Sequence, residues 1–317
     1  MTETWIPLFG GLILLVAGGE LLVRGAVQAA ERLCISPLVI GLTLVGFGTS
    51  MPELVTSVQA GLNGSPGIAY GNVVGSNIAN IALVLGITAI IAPLPVKSGV
   101  LRKELPLLLA VTVFAGMLLL DLQLTIVDSA VLLSMLALSL YLFQRFQRNA
   151  SPEESASEEE ELPELKTGNA IFWLLLGLVI LAGSSRLLVW GATEVALALG
   201  VSELIIGLTI VAIGTSLPEL AASVTSALKG HHDLAIGNVV GSNIFNLVAV
   251  MAVPGLIAPL SIDSIVLLRD YSVMLGLTVA LIAFGLIQKP PKINRYEGVL
   301  LTTLYAGYLV LLYNMTV

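Results

Sequence analysis

Hydrophobic positions in this chain come in unbroken blocks of about twenty residues, not as alternating or one-faced patterns. A helix of about that length crosses the roughly 30 Å hydrocarbon core of a bilayer. Ten such blocks can be drawn, at about 5–26, 35–62, 67–92, 104–121, 124–146, 170–190, 201–228, 234–258, 265–287 and 296–315. The expectation is an all-α integral membrane protein with ten transmembrane helices. The ten-residue alternating segments of an outer-membrane barrel are not the pattern here. The first block has no basic residues before it and no small-residue cleavage site, so it reads as a retained helix and not a signal peptide.

The polar interruptions divide the chain in three. Residues 1–148 hold five blocks, 149–168 form a linker rich in Glu, Ser and Pro, and 169–317 hold the other five. A constant shift of 166 residues lays Gly41–Leu94 on Gly207–Leu260 without a gap, with about half the positions identical. The same shift carries Leu21-Leu22-Val23 onto Leu187-Leu188-Val189 and Val100-Leu101 onto Val266-Leu267. Five is odd, so the second copy must enter the membrane from the opposite side. Two inverted five-helix repeats are a signature of alternating-access secondary transporters.

Composition agrees with the block pattern. Of the 317 residues 56% are hydrophobic and 11% charged, with mean hydropathy +0.98, whereas soluble domains carry about 25% charged residues. The net charge of −7 belongs to the linker, where seven glutamates face only Lys166. That stretch is expected to be disordered or loosely helical and solvated; attraction of calcium is a weaker alternative, since no EF-hand spacing is present. With the N-terminus outside, twelve of the 14 Lys and Arg fall at cytoplasmic ends, leaving Arg186 and Arg269 outside. This is a strong positive-inside bias. It predicts a multi-pass protein of the cell membrane with both termini outside and a cytoplasmic linker. Cys34 stands alone and excludes an intrachain disulfide.

The candidate chemistry lies where the blocks are least apolar. The second block reads Gly46-Phe-Gly48-Thr49-Ser50-Met-Pro52-Glu53, and its copy Ala212-Ile-Gly214-Thr215-Ser216-Leu-Pro218-Glu219. Proline removes one helical hydrogen bond and glycine permits unwinding, so each block should be a broken helix with freed carbonyls. An acid inside a bilayer is costly and by default functional. The third block carries Asn72, Ser76 and Asn80 at four-residue spacing beside Gly71 and Gly75; its copy has Asn238, Ser242, Asn246, Gly237 and Gly241. This predicts a polar stripe alongside a seam for close helix approach.

Together these groups offer two carboxylates, hydroxyls, amide oxygens and loosened carbonyls, with no Cys nearby and histidine only in a loop at His231 and His232. Oxygen-only ligation suits hard cations, calcium above all. Two carboxylates balance one divalent ion; without it one must hold a proton or smaller cations must replace calcium. Asn72, Asn77, Asn238 and Asn243 serve equally well as hydrogen-bonding glue between helices. Glu20 and Arg24, four apart near a helix end, are expected to pair or snorkel. Asp121, Asp128, Asp263 and Asp270 are expected to be solvated at span ends. Trp5, Trp173 and Tyr313 fit interfacial anchors.

On these motifs the chain resembles the sodium/calcium exchanger family of the cation/calcium exchanger superfamily. The resemblance rests on Gly-Thr-Ser-x-Pro-Glu at 48–53 and 214–219 and on Gly-Asn-Val-Val-Gly-Ser-Asn at 71–77 and 237–243. It implies a ten-helix fold and antiport of sodium against calcium by alternating access. It also implies a central calcium site of Glu53, Glu219 and the carbonyls of Thr49 and Thr215. Flanking sodium sites would draw on Ser50, Ser216, Ser76 and Ser242, with further carbonyls at Gly46 and Ala212. Asn80 and Asn246 match a central polar pair. Some members, including potassium-dependent ones, carry Asp at the position of Asn246, which leans against potassium here. Proton-coupled relatives show Gly-Asn-x-x-Glu instead of the first motif, which favours sodium as coupling ion. The expected partners are calcium and sodium ions and the lipid bilayer, with no nucleic acid, no cofactor and no catalytic residues, and the chain is expected to act as a monomer. A passive channel would need a continuous pore face, and an intramembrane enzyme a catalytic dyad; neither is evident.

Overall fold

The computed structural model describes residues 2–64, 66–148, 167–200, 210, 212–257 and 259–316. The linker expectation and the first half of the block at 201–228 fall outside the described residues.

Helices occupy the described part of every expected block. Seven of them are long and apolar enough to cross a membrane, and the bent pair Pro37–Thr49 and Met51–Leu62 makes an eighth. The helix Glu104–Leu118 has 15 residues, continued from the short turn Ser98–Arg102. Several helices outrun their predicted ends. The first runs Thr2–Leu33 and the sixth Thr167–Ala198, because polar flanks such as Gln28 and Glu31 continue the helix beyond its apolar stretch. Helix formation needs no apolarity, so hydropathy marks the membrane and not the helix end.

These two long helices are repeat counterparts, and they pack antiparallel. Gly11 meets Leu188, Gly18 meets Leu181 and Gly25 meets Leu174. A Cβ at Gly25 would lie 2.2 Å from the Leu174 backbone nitrogen, so the seven-residue glycine spacing lets the backbones touch. In a bilayer, where lipid tails are as apolar as Leu, such close packing holds helices together.

The third and eighth spans form the centre. Within Gly67–Ile91 and His232–Ile257, 78% and 83% of the span is buried, against 22–39% for the other five. Each contains a π-helical turn, Asn80–Leu85 and Asn246–Val250, at the same place in the repeat. Two short antiparallel ladders tie span ends: Leu94–Pro95 pairs with Lys292–Ile293, and Gln123–Leu124 with Leu260–Ser261. Each ladder joins one copy to the other.

Two expectations are corrected. Glu20 takes its ion pair from Lys229, on another span, and not from Arg24; helix packing brings that distant ammonium closer than the i+4 neighbour. Asp270 is not solvated but 6% exposed. Arg269 donates to both its oxygens at 2.6 and 2.8 Å and the Tyr308 hydroxyl to one at 3.1 Å. A π-helical turn over Leu267–Tyr271 changes the facing of that stretch, which no hydropathy reading anticipates. The other three acids do sit at element ends: Asp263 caps the Ile265 N–H at 2.8 Å, Asp128 the Thr125 N–H at 2.9 Å and Asp121 the Gln123 N–H at 3.0 Å.

Candidate functional site

Both predicted breaks occur, with one geometry. The chain bends by 44° between Thr49 and Met51. Ser50 has φ −84°, ψ 7° and Ser216 φ −91°, ψ 4°, outside the helical region of the map. Pro52 and Pro218 then sit in the first turn of the following half-helix, where a missing N–H costs nothing. Glu53 and Glu219 occupy that same first turn. There the positive end of the helix dipole favours a carboxylate. The motif thus breaks the helix and places an acid at a new N-terminus deep inside the molecule, Glu53 1% and Glu219 0% exposed.

Glu219 faces the other repeat: the Ser50 hydroxyl donates to its Oε1 at 3.3 Å. Glu53 is faced by Ser76 of its own repeat. Glu53 Oε2 and Glu219 Oε2 are buried with no hydrogen-bond partner among the described residues. So are the Ser216 hydroxyl, Asn246 Oδ1 and both amide atoms of Asn80. An unsatisfied buried oxygen costs about 1–3 kcal/mol, more when charged. Both repeats contribute such oxygens, Glu53 and Asn80 from one and Glu219, Ser216 and Asn246 from the other, and oxygens of this kind are candidate ligands for a positive ion. Among the described residues no three His, Cys, Asp or Glu converge, so hydroxyls, amides and carbonyls would complete the shell around two carboxylates.

The remaining candidates divide into two groups. Thr49 is buried, and its hydroxyl donates to Asn238 Oδ1 at 3.1 Å and lies 3.3 Å from Ser242 Oγ. Ser242 donates to the Gly46 carbonyl at 3.2 Å, which already accepts the Ser50 N–H at 3.2 Å. Thr215 is half-buried at the end of the short helix Ala212–Thr215. Of the asparagines, Asn77 and Asn243 cross-link the copies: Asn77 Nδ2 donates to the Asn243 carbonyl at 3.2 Å and Asn243 Nδ2 to the Asn77 carbonyl at 3.4 Å. Asn246 Nδ2 donates to Asn77 Oδ1 at 3.1 Å. These three act at least in part as interhelical glue.

Two serines outside the predicted set belong to the site's support. Asn72 Nδ2 donates to the Glu53 carbonyl and to Ser57 Oγ, both at 2.9 Å. Asn238 Nδ2 donates to the Glu219 carbonyl at 3.2 Å and to Ser223 Oγ at 2.9 Å. Ser57 and Ser223 lie four residues beyond the two glutamates, hence on the same helical face, a spacing visible in the sequence. Ser185, whose hydroxyl donates to the Gly214 carbonyl at 2.5 Å, had no such signal, because its repeat counterpart is Gly19.

The sodium/calcium exchanger protein family model matches residues 4–144 and 169–314, both halves of the chain. The chain belongs to the sodium/calcium exchanger family. It is 42% identical over 310 residues to the inner membrane protein YrbG of Escherichia coli, covering 96% of this chain and 94% of that one. It is 31% identical over 367 residues to the sodium/calcium exchanger MaX1 of Methanosarcina acetivorans, covering 99% of each. Its fold is similar to that of the sodium-calcium exchanger NCX_Mj, with a TM-score of 0.83, 33% identity and 97% of each chain covered. The chain is therefore a multi-pass membrane protein of an ion-exchanging family.

Proposed function

We propose that this protein is a secondary antiporter that exchanges sodium for calcium by alternating access around one midplane site. The observation that carries it is the pair of buried glutamates, each at the start of a half-helix, each in the matching position of one repeat. Five spans per repeat invert the second copy, and the antiparallel packing of the first and sixth helices supports that reading. The units are then residues 1–148 and 169–317, joined by a cytoplasmic linker at 149–168, with ten spans and both termini outside.

Glu53 and Glu219 hold calcium with the backbone carbonyls of Thr49 and Thr215. Ser50, Ser76, Ser216 and Ser242 with the carbonyls of Gly46 and Ala212 supply flanking sodium positions, and Asn80 and Asn246 complete the centre. Two carboxylates neutralise one calcium; several sodium ions replace it in the opposite half-cycle, so neither conformation has to cross with two bare charges. Calcium takes oxygen ligands at about 2.3–2.6 Å in a flexible geometry, which a mixed set of hydroxyl, amide and carbonyl oxygens suits. The chain acts as a monomer, since both halves of the site come from one polypeptide.

The test is calcium flux in reconstituted vesicles under separately imposed sodium, potassium and proton gradients. Sodium alone should drive uptake, and Glu53→Gln or Glu219→Gln should abolish it. Flux driven by protons or potassium would replace sodium as the coupling ion, and undiminished exchange in either Gln variant would sink the site assignment.

A further inference from the structure

The direction of one central amide can be deduced from a backbone carbonyl two links away. A backbone carbonyl only accepts hydrogen bonds, so the Asn77 group 3.2 Å from the Asn243 carbonyl must be its NH2. Asn77 Oδ1 is then the other end of that amide, and it lies 3.1 Å from the Asn246 side chain. Two carbonyl oxygens would repel, so the Asn246 group that meets it is also an NH2. Asn246 Oδ1 is thereby the far end of the chain. It is buried with no hydrogen-bond partner among the described residues.

The chain of bonds crosses between the copies twice, since Asn243 and Asn246 belong to the second repeat and Asn77 to the first. Asn246 opens the π-helical turn Asn246–Val250. That turn packs against Met51–Leu62, the half-helix whose first turn carries Glu53. A π-helical turn inside an α-helix often marks a functional site. All three asparagines are buried, so water does not compete for these bonds. Asn243 forms the reverse cross-link, its Nδ2 donating to the Asn77 carbonyl at 3.4 Å. Asn77 and Asn243 are equivalents in the repeat, but it is the Asn77 side chain that holds the Asn246 amide.

We propose that Asn77 is a positioning residue: it turns the Asn246 amide so that the oxygen, and not the NH2, is offered to a cation. An amide has a negative end and a positive end, and a half-turn exchanges them. A site for a hard cation accepts only the oxygen end. Asn77 thus sets the sign of the partial charge facing the ion without touching the ion. This proposal rests on Asn246 belonging to the cation centre, as read above.

The experiment measures equilibrium sodium and calcium affinities of the full-length protein in detergent, together with its melting temperature in the absence of both ions. Asn77→Ala removes the acceptor that turns Asn246, and affinity should weaken by about two- to tenfold, the worth of one hydrogen bond. Asn246→Ala removes the oxygen itself and should weaken affinity at least as much. The double variant should bind no more weakly than Asn246→Ala, because Asn77 then has no amide to turn. Asn243→Ala is the control for cross-linking. It deletes a bond of the same kind between the copies but keeps the backbone carbonyl that anchors Asn77. Its effect on affinity should be the same with or without Asn246→Ala. Should Asn77→Ala not fold, Asn77→Ser, which keeps a hydroxyl on a shorter side chain, takes its place with the same outcomes expected. Additive losses from Asn77→Ala and Asn246→Ala, equal coupling of Asn243→Ala to Asn246, unchanged affinity in Asn246→Ala, or a loss confined to the ion-free melt would overturn the proposal. The unmodified protein separates the two readings: if it binds neither ion, the transport reading fails, and if it binds them while the losses are additive, the positioning role alone fails.

Discussion

At the scale of single residues, the decisive fact is that both buried acids keep an oxygen that no described group satisfies. Glu53 and Glu219 each keep one carboxylate oxygen without a partner, in a place where charge is expensive. A cation that satisfies both should also stabilise the fold by mass action, about 2.7 kcal/mol at a hundred times its dissociation constant. Calcium is therefore expected to raise the melting temperature in detergent, and Glu53→Gln or Glu219→Gln to remove most of that rise while leaving the ion-free melt little changed. Ser57→Ala and Ser223→Ala delete one of two bonds holding each asparagine amide. Each should cost about 1 kcal/mol of stability and weaken sodium affinity by less than the glutamate changes do, measurable in the same melts and in flux titrations.

Among the elements, the broken second span and the long first and sixth helices have opposite designs. The break depends on Pro52, which removes an N–H, and on Ser50, which leaves the helical region at φ −84°, ψ 7°. Pro52→Ala returns the missing donor and relaxes the need to bend; exchange should slow several-fold, with protein yield and melting temperature retained. The first and sixth helices depend instead on unbroken contact. A side chain at Gly25 meets the Leu174 backbone at 2.2 Å, and backbone cannot move aside as a flexible side chain can. Gly25→Val should destabilise by about 1–3 kcal/mol through overpacking, read as a lower melting temperature with or without calcium. Gly10, with nothing within 4 Å of its Cβ among described atoms, is the control and should accept alanine freely.

For the whole molecule, the two copies meet where the Pro37–Thr49 segment crosses the helix His232–Phe245, and a Cβ at Gly241 would lie 2.3 Å from the Leu42 carbonyl oxygen. Backbone cannot move aside there as a flexible side chain can, so Gly241→Val should destabilise by about 1–3 kcal/mol through overpacking, read as a lower melting temperature together with slowed exchange. Retained stability and exchange in Gly241→Val would argue that this crossing does not hold the copies together.

Apolar block length, the 166-residue repeat and the Gly-Thr-Ser-x-Pro-Glu motif already determine a helical membrane protein with two equivalent halves and two intramembrane acids. These properties are local or periodic, so they can be read along the chain. Helix ends were less legible, because a helix such as Thr2–Leu33 continues past its apolar stretch. So were the partners of Glu20 and Asp270, because Lys229 and Tyr308 reach them only through packing. The same holds for the bonds that hold Asn238, although Ser223 stands at a telling spacing, since an amide's direction is set by what surrounds it. Equivalence of the two halves is a property of the sequence; which group each side chain meets is a property of the tertiary structure. The repeat is periodic and can be read along the chain, whereas the exchange of hydrogen bonds between Asn77 and Asn243 exists only once helix packs against helix.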